Sequence, residues 1–213
     1  MALTCAGLLE AHPQEWRAAV SGPFLDAARD GSLAAAAFDR WLAQDFLFVR
    51  GFARFAGALL ARTRDVRHTE TLCGGIGALA DELRWFQATA AARGLDLARA
   101  APLPACAEYL RWLEEAAAPE APYAQQAVAF WAVERAYNEA WRSHRPMAAP
   151  YDAHAERWGS DAFTAYVAAL EGVADAALAG ASVEEREAAR AAFARVCRFE
   201  HAFWDMTLAA AAE

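Results

Sequence analysis

Three carboxylates fall where a helical protein ordinarily carries aromatic and aliphatic side chains: Asp45 in WLAQDFLFVRGF, Glu134 in AFWAVERAYNEAW and Glu200 in CRFEHAFW. Residues spaced i, i+4, i+7 and i+11 share one face of a helix. By that spacing Asp45 lies with Trp41, Phe48 and Phe52, Glu134 with Phe130, Tyr137 and Trp141, and Glu200 with Phe193, Val196 and Trp204. A charged side chain is costly to desolvate and is seldom buried unless it is paired or functional. For any one acid the plain alternative is an ion pair at the edge of an apolar face, with Arg50, Arg54, Arg135 and Arg198 within reach along the chain. Three acids on three aromatic faces point instead to an interior pocket for a polar molecule. Asp81 and Glu82 add a second acidic candidate. Adjacent helical residues face different ways, so one of the two turns inward, and the sequence leaves open which.

The elements that must position these acids are helical almost throughout. Apolar residues recur at spacings of three and four, and no sustained alternation marks a strand. Pro13 opens a helix that includes Trp16, and Pro23 opens another ending near Gly31. Asp30-Gly31-Ser32 reads as a turn, with Ser32 the expected N-cap of a long helix through Phe38, Trp41 and Phe55 to about Arg62. A further helix is expected from about Thr69 to Arg93, stopped by Gly94. It contains Gly74, Gly75 and Gly77, which cost helical stability and therefore imply close packing or backbone near a ligand. Pro102 and Pro104 begin the helix of Tyr109 and Trp112, and Pro119 and Pro122 separate it from the helix of Glu134, which Pro146 and Pro150 close off. Two more run from about Ser160 to Leu178 and from Val183 to about Ala209, the latter capped by Ser182. The expectation is one all-α domain over residues 1–213, with about seven or eight helices.

Composition narrows the function. The 213 residues are 57% hydrophobic with 8 Trp and 12 Phe, enough for a substantial core and incompatible with disorder. A formal charge of −8 argues against nucleic acid as a partner. No signal peptide is visible, and no uninterrupted apolar run approaches the roughly 20 residues of a membrane span, so the chain reads as cytoplasmic with no membrane partner. Cys5, Cys73, Cys106 and Cys197 are isolated and form no metal or disulfide pattern. Cys73, beside two glycines, is the one with some claim to line a cavity.

At this point the chain resembles the TenA (thiaminase II) family. The matching stretches are Trp16 with Pro23-Phe24, Asp30-Gly31-Ser32-Leu33, Phe38 with Trp41-Leu42 and Gln44-Asp45-Phe46, Tyr109 in AEYLRWL, Phe130-Trp131 with Glu134, Arg157-Trp158-Gly159-Ser160 with Phe163, and Phe199-Glu200 with Phe203-Trp204. The segment GGIGALADELRWF is similar to the family's second long helix. The resemblance implies a haem-oxygenase-like helical bundle, no cofactor and no metal, and a homo-oligomer, dimer or tetramer. Most members carry a nucleophilic cysteine two residues before the tryptophan that is here Trp131; this chain has Ala129 there. It resembles the branch that lacks the cysteine and has a glutamate in the same helix, matched by Glu134. That branch implies salvage hydrolysis of thiamine's pyrimidine breakdown products: deamination of 4-amino-5-aminomethyl-2-methylpyrimidine, or deformylation of its N-formyl precursor.

An aminopyrimidine is flat and has donors and acceptors on its edges, so acids can pair with the edges while aromatic walls stack on the faces. By the resemblance Asp45 and Glu200 hold those edges, with Glu200 able to shuttle a proton, and Phe48, Tyr109 and Trp158 are wall positions. Phe48 and Trp158 replace tyrosines, which makes the pocket more apolar. Phe130, Tyr137 and Glu82 complete the expected binding set. With no cysteine available, Glu134 is expected to act as general base on a water, its pKa raised by burial.

Two readings from other classes compete. A haem or di-iron oxidase would need histidine ligands, yet of His12, His68, His144, His154 and His201 none sits on an aromatic face of the early helices. The only carboxylate–histidine pair at such spacing is Asp65-x-x-His68, in an expected turn. A non-enzymatic regulator acting through protein contacts would show no turnover of aminopyrimidines.

Overall fold

Proline and glycine set the helix boundaries. In the computed structural model, which describes residues 3–208, they divide the chain into ten α-helices and one 3-10 turn, with no strand among the described residues. The helices are α1 (Cys5–Ala11), α2 (Pro13–Val20), α3 (Pro23–Asp30), α4 (Ala35–Leu60), α5 (Val66–Ala92), α6 (Pro104–Ala116), α7 (Tyr123–Ser143), α8 (Asp152–Trp158), α9 (Asp161–Gly180) and α10 (Val183–Leu208), with the 3-10 turn at Leu97–Arg99. The all-α expectation holds, while the count of seven or eight falls short. The two helices not anticipated, α1 and α8, have 7 residues each, too short to display two turns of periodicity.

Several boundaries move for physical reasons. Ser32 does not cap α4: its N–H bonds Asp30 Oδ1 at 2.9 Å within the turn, and the cap falls on Ala34, whose methyl group accepts no hydrogen bond. The α5 helix starts three residues before Thr69, because Asp65 accepts from the N–H groups of Arg67 and His68 as a true N-cap. Asp65-x-x-His68 is therefore a helix start. Gly94 ends α5 as expected, with φ at 73° and the paired bonds Gly94 N–H to Ala91 and Leu95 N–H to Ala90. Ser182 and Glu185 exchange bonds as a capping box at the head of α10. Ala209, the expected end of that helix, lies outside the described residues.

The long helix α7 is the axis of the bundle. Fourteen of its residues are buried, and it packs most closely on α9 and α10, with α2, α4 and α8 also against it. On the other side α4 packs on α5 and α6. One continuous core joins all of these, with Trp41, Trp131, Trp141 and Trp204 fully buried within it. Residues 152–180 have a length and apolarity compatible with a membrane span. The structure breaks them into α8 and α9 at Gly159–Ser160, with Ser160 capping the second helix.

Candidate active site

The acids read from the sequence converge. Asp45 comes from α4, Glu134 from α7 and Glu200 from α10, with relative exposures of 2%, 7% and 5%. Glu82 joins them from α5, while its neighbour Asp81 faces solvent and pairs with Arg84. None of the ion pairs among the described residues involves Glu82, which is half-buried, or the three buried acids. Arg135, a neighbour of Glu134 in sequence, pairs with Glu139 and Glu171 instead.

Each acid takes one neutral aromatic donor from a different helix. The Tyr137 hydroxyl donates to Asp45 Oδ2. Trp158 Nε1 donates to Glu82 Oε1 at 2.6 Å, Tyr166 to Glu134 Oε1 at 3.3 Å, and Tyr109 to Glu200 Oε1 at 2.7 Å. A neutral donor orients a carboxylate without cancelling its charge, and it leaves the second oxygen free. Gln44 supports the arrangement from behind. Its amide nitrogen donates to Ala101 O and its oxygen accepts from Leu103 N–H, fixing the segment that leads into α6 and Tyr109.

Asp45, Glu82, Glu134, Phe48 and Tyr137 line an inner cavity of about 30 Å³, completed by Val49, Phe52, Leu79 and Val133. That is room for about two waters, so a pyrimidine enters only if the walls move. Glu82 also lines an outer cleft of about 220 Å³, together with Ala78, Asp81, Arg157, Trp158 and Phe163. Four of the expected residues stand around the inner cavity rather than on its wall. Trp158 belongs to the outer cleft and covers Glu82. Glu200 and Tyr109 are bound to each other, with Tyr109 packed between Phe48 and Phe199. Phe130 lies one turn below Glu134 and stacks on Phe52 at 4.7 Å, so Phe52 supplies the wall there. Val49 and Phe52 follow Asp45 at i+4 and i+7, Leu79 precedes Glu82 by three and Val133 precedes Tyr137 by four, so helical spacing reaches all four. Tyr166 carried no such signal, because only the packing of α9 brings it to Glu134. Cys73 is exposed and takes no part in the cavity. Two larger surface grooves, of about 380 and 480 Å³, contain no buried unpaired acid, which leaves the small cavity as the candidate site.

Burial dominates the electrostatics. Glu134 is raised to about 8 by burial and by the charge of Glu82, against the pull of the Tyr166 bond. Glu200 is raised to about 8 by burial, opposed by Tyr109. Glu82 is raised to about 7 by burial, opposed by Trp158 and by Arg157. Burial and the Glu82 charge push Asp45 well above the ordinary carboxylate range. Near pH 7 such a cluster holds both protonated and ionised carboxyls, so it can give and take protons in one small space.

The pattern of the TENA/THI-4/PQQC family matches residues 9–210. A soybean (Glycine max) protein described as a "probable bifunctional TENA-E protein" is 32% identical over 207 residues, covering 93% of this chain and 90% of its own. Among solved structures, a TenA homologue from Pyrococcus furiosus superposes with a TM-score of 0.88 at 26% identity, covering 95% of this chain and 98% of the other. A TenA family transcription regulator from Silicibacter superposes with a TM-score of 0.84 at 20% identity, covering 96% of each chain, a likeness of fold alone.

Proposed function

The chain belongs to the TENA/THI-4/PQQC family, and on that premise we propose that it is a thiamine-salvage hydrolase of the cysteine-lacking, glutamate-containing branch. Its substrate is an aminopyrimidine breakdown product, and its reaction is cleavage of a C–N bond by water. The observation that carries this reading is the meeting of Asp45, Glu82 and Glu134 around one cavity with no arginine paired to any of them. The fold is the haem-oxygenase-like bundle of the TenA homologues. Ala129, where the resemblance calls for a cysteine nucleophile, is fully buried and offers none.

In the proposed reaction Asp45 and Glu200 hold the edges of the pyrimidine, and Phe48 and Tyr137 pack on it. Glu134 takes a proton from water while the water oxygen bonds to carbon. For the aminomethyl compound that carbon is the exocyclic CH₂. The C–N bond breaks, its electron pair goes to nitrogen, and ammonia and the hydroxymethyl pyrimidine leave. For the N-formyl compound the water attacks the formyl carbon, and the products are formate and the aminomethyl pyrimidine. The two raised carboxyls share protons, with Glu134 acting as the ionised partner and Glu200 as the protonated one. Glu200 gives its proton to the nitrogen leaving the N-formyl compound, while the ammonium side chain of the aminomethyl compound leaves as ammonia without one.

The test is a panel of thiamine, the aminomethyl pyrimidine and its N-formyl derivative, with release of ammonia and formate measured. Ammonia or formate release from the pyrimidines, lost in Glu134→Gln, supports the reading. No turnover of any of them leaves the fold in a regulatory role and overturns it.

A further inference from the structure

Glu134 is the only one of the four acids whose aromatic donor depends on a glycine in a third helix. Tyr166 reaches it from α9, and to do so its ring passes directly against the backbone of α5 at Gly75. A Cβ placed on Gly75 would clash with the Tyr166 hydroxyl oxygen and stand 2.8 Å from Cζ and 3.2 Å from Cε2. Gly74 and Gly77, which flank it, have nothing within 4 Å of such a Cβ. The glycine run on α5 thus has one position where the absence of a side chain is required, and what it admits is the tyrosine that holds Glu134.

We propose that Tyr166 is the positioning residue for the Glu134 carboxylate and that Gly75 is the residue that makes its place. The proposal rests on the reading of Glu134 as general base. Tyr166 is the only hydrogen-bond donor to the Glu134 carboxyl among the described residues. The titratable groups that face Glu134 are Asp45 from α4, Glu82 from α5, Glu200 from α10 and Tyr166 from α9, so every charged neighbour is an acid. Without Tyr166 nothing would favour the ionised form of Glu134. The bond engages Oε1 alone, which fixes the plane of the carboxylate and leaves Oε2 for a water.

The test compares Tyr166→Phe and Gly75→Ala with the wild type by two independent readouts. One is the titration of the Glu134 carboxyl by ¹³C NMR, its signal assigned by its loss in Glu134→Gln. The other is the pH dependence of kcat/KM. A hydrogen bond that favours a charged form lowers its pKa, so removing it should move the Glu134 titration upward by about one pH unit. Gly75→Ala should shift the titration in the same direction in the wild type and add nothing in the Tyr166→Phe background. If Gly75→Ala folds poorly, Tyr166→Leu in the same chain should restore its Tm, because the methyl then has room. A Tyr166→Phe enzyme with lower Tm but an unmoved Glu134 titration would overturn the proposal, as would a Gly75→Ala shift undiminished by Tyr166→Phe or a Tm that Tyr166→Leu fails to restore. A titration that moves while the rate profile stays put supports the Tyr166–Glu134 coupling and removes Glu134 as the base, so the two ideas fail separately.

Discussion

Trp158 Nε1 donates to Glu82 Oε1 at 2.6 Å, and Glu82 is the side chain shared by the outer cleft and the inner cavity. Trp158 itself is fixed by an edge-on contact with Trp85, with ring centroids 5.1 Å apart, and by Trp141 at 5.2 Å. The pair therefore stands at the junction of the outer cleft and the inner cavity. Trp158→Phe keeps an aromatic ring, though a smaller one, and removes the donor, which lets burial push Glu82 above about 7. At pH 7 the junction then carries less negative charge. KM for the aminomethyl pyrimidine, whose side chain is an ammonium ion, should rise about tenfold, in line with a lost charge-assisted contact. KM for the neutral N-formyl compound should change much less. Steady-state kinetics on the two substrates at pH 7 reads this directly, and equal effects on both would remove Glu82 from cation recognition.

Glu134→Gln and Asp45→Asn should differ in kind. The amide at position 134 keeps its size and can still accept from Tyr166, but it cannot take a proton at neutral pH. Its loss should appear in kcat, by roughly 10²–10⁴-fold. Asp45 is assigned to holding the ring, so Asp45→Asn should raise KM by roughly 10-fold or more as well as lowering kcat. A Glu134→Gln enzyme with near-normal kcat would pass the role of base to Glu82 or Glu200, since Asp81 faces solvent.

Asp45, Glu134 and Glu200 were legible in the sequence because helical spacing put each on an aromatic face, and a buried face is what makes an acid unusual. Glu82 was legible only as one of two adjacent acids. The choice needed the rotation of α5, which its glycine-rich sequence barely encodes: the helix buries Leu72, Gly75, Leu79, Phe86 and Ala90, a thin stripe. Tyr166 was not legible at all. Its helix is alanine-rich, and the signal that it matters is a glycine ninety-one positions earlier in another helix. The same limit applies to Phe130, which sits on the face expected of a wall residue but stacks on Phe52 from behind. Spacing along one helix states which residues share a side, and only the packing of several helices states which layer each one occupies. The short α8 escaped for a different reason, since seven residues between Pro150 and Gly159 do not repeat often enough to show a period.

Thiamine should be a poor substrate. The covalent route needs a thiolate beside the ring, and position 129 is an alanine with no exposure. Cys5, Cys106 and Cys197 are buried, and burial pushes the thiols of Cys106 and Cys197 up to about 12, away from the reactive thiolate. Cys73 is exposed on the surface of α5. The expected result is thiamine turnover at least about 100-fold below that of the preferred pyrimidine, on the scale that loss of a nucleophile ordinarily costs, with Cys73→Ser leaving both rates unchanged. Comparable turnover of thiamine would require a nucleophile that this arrangement does not supply.

The buried acids should also give the protein an unusual pH dependence of stability. Glu134 and Glu200 are each raised by burial from the ordinary 4.5 to about 8 in the folded chain. A carboxyl that holds its proton more tightly when folded contributes stability that is fully present below about pH 4.5 and lost as pH rises through about 8. This is the opposite of an ion-paired carboxylate, whose contribution is lost on acidification. Glutamine cannot ionise, so Glu134→Gln and Glu200→Gln remove this loss while keeping most of the packing. The four acids share one region, and ionising the first makes the others harder to ionise, so the effect of one substitution is smaller than its isolated shift implies. The difference in stability between each variant and the wild type should therefore become more favourable to the variant by at least about 1 kcal/mol between pH 5.5 and pH 8.5, roughly 2–4 °C in Tm for a chain of this size. Thermal melts of the three proteins at the two pH values measure it. A variant-minus-wild-type difference that is the same at both values would mean that these carboxyls titrate alike in the folded and unfolded chain, and the cavity would then be wetter and less able to hold a protonated acid beside an ionised one than the proposed chemistry requires.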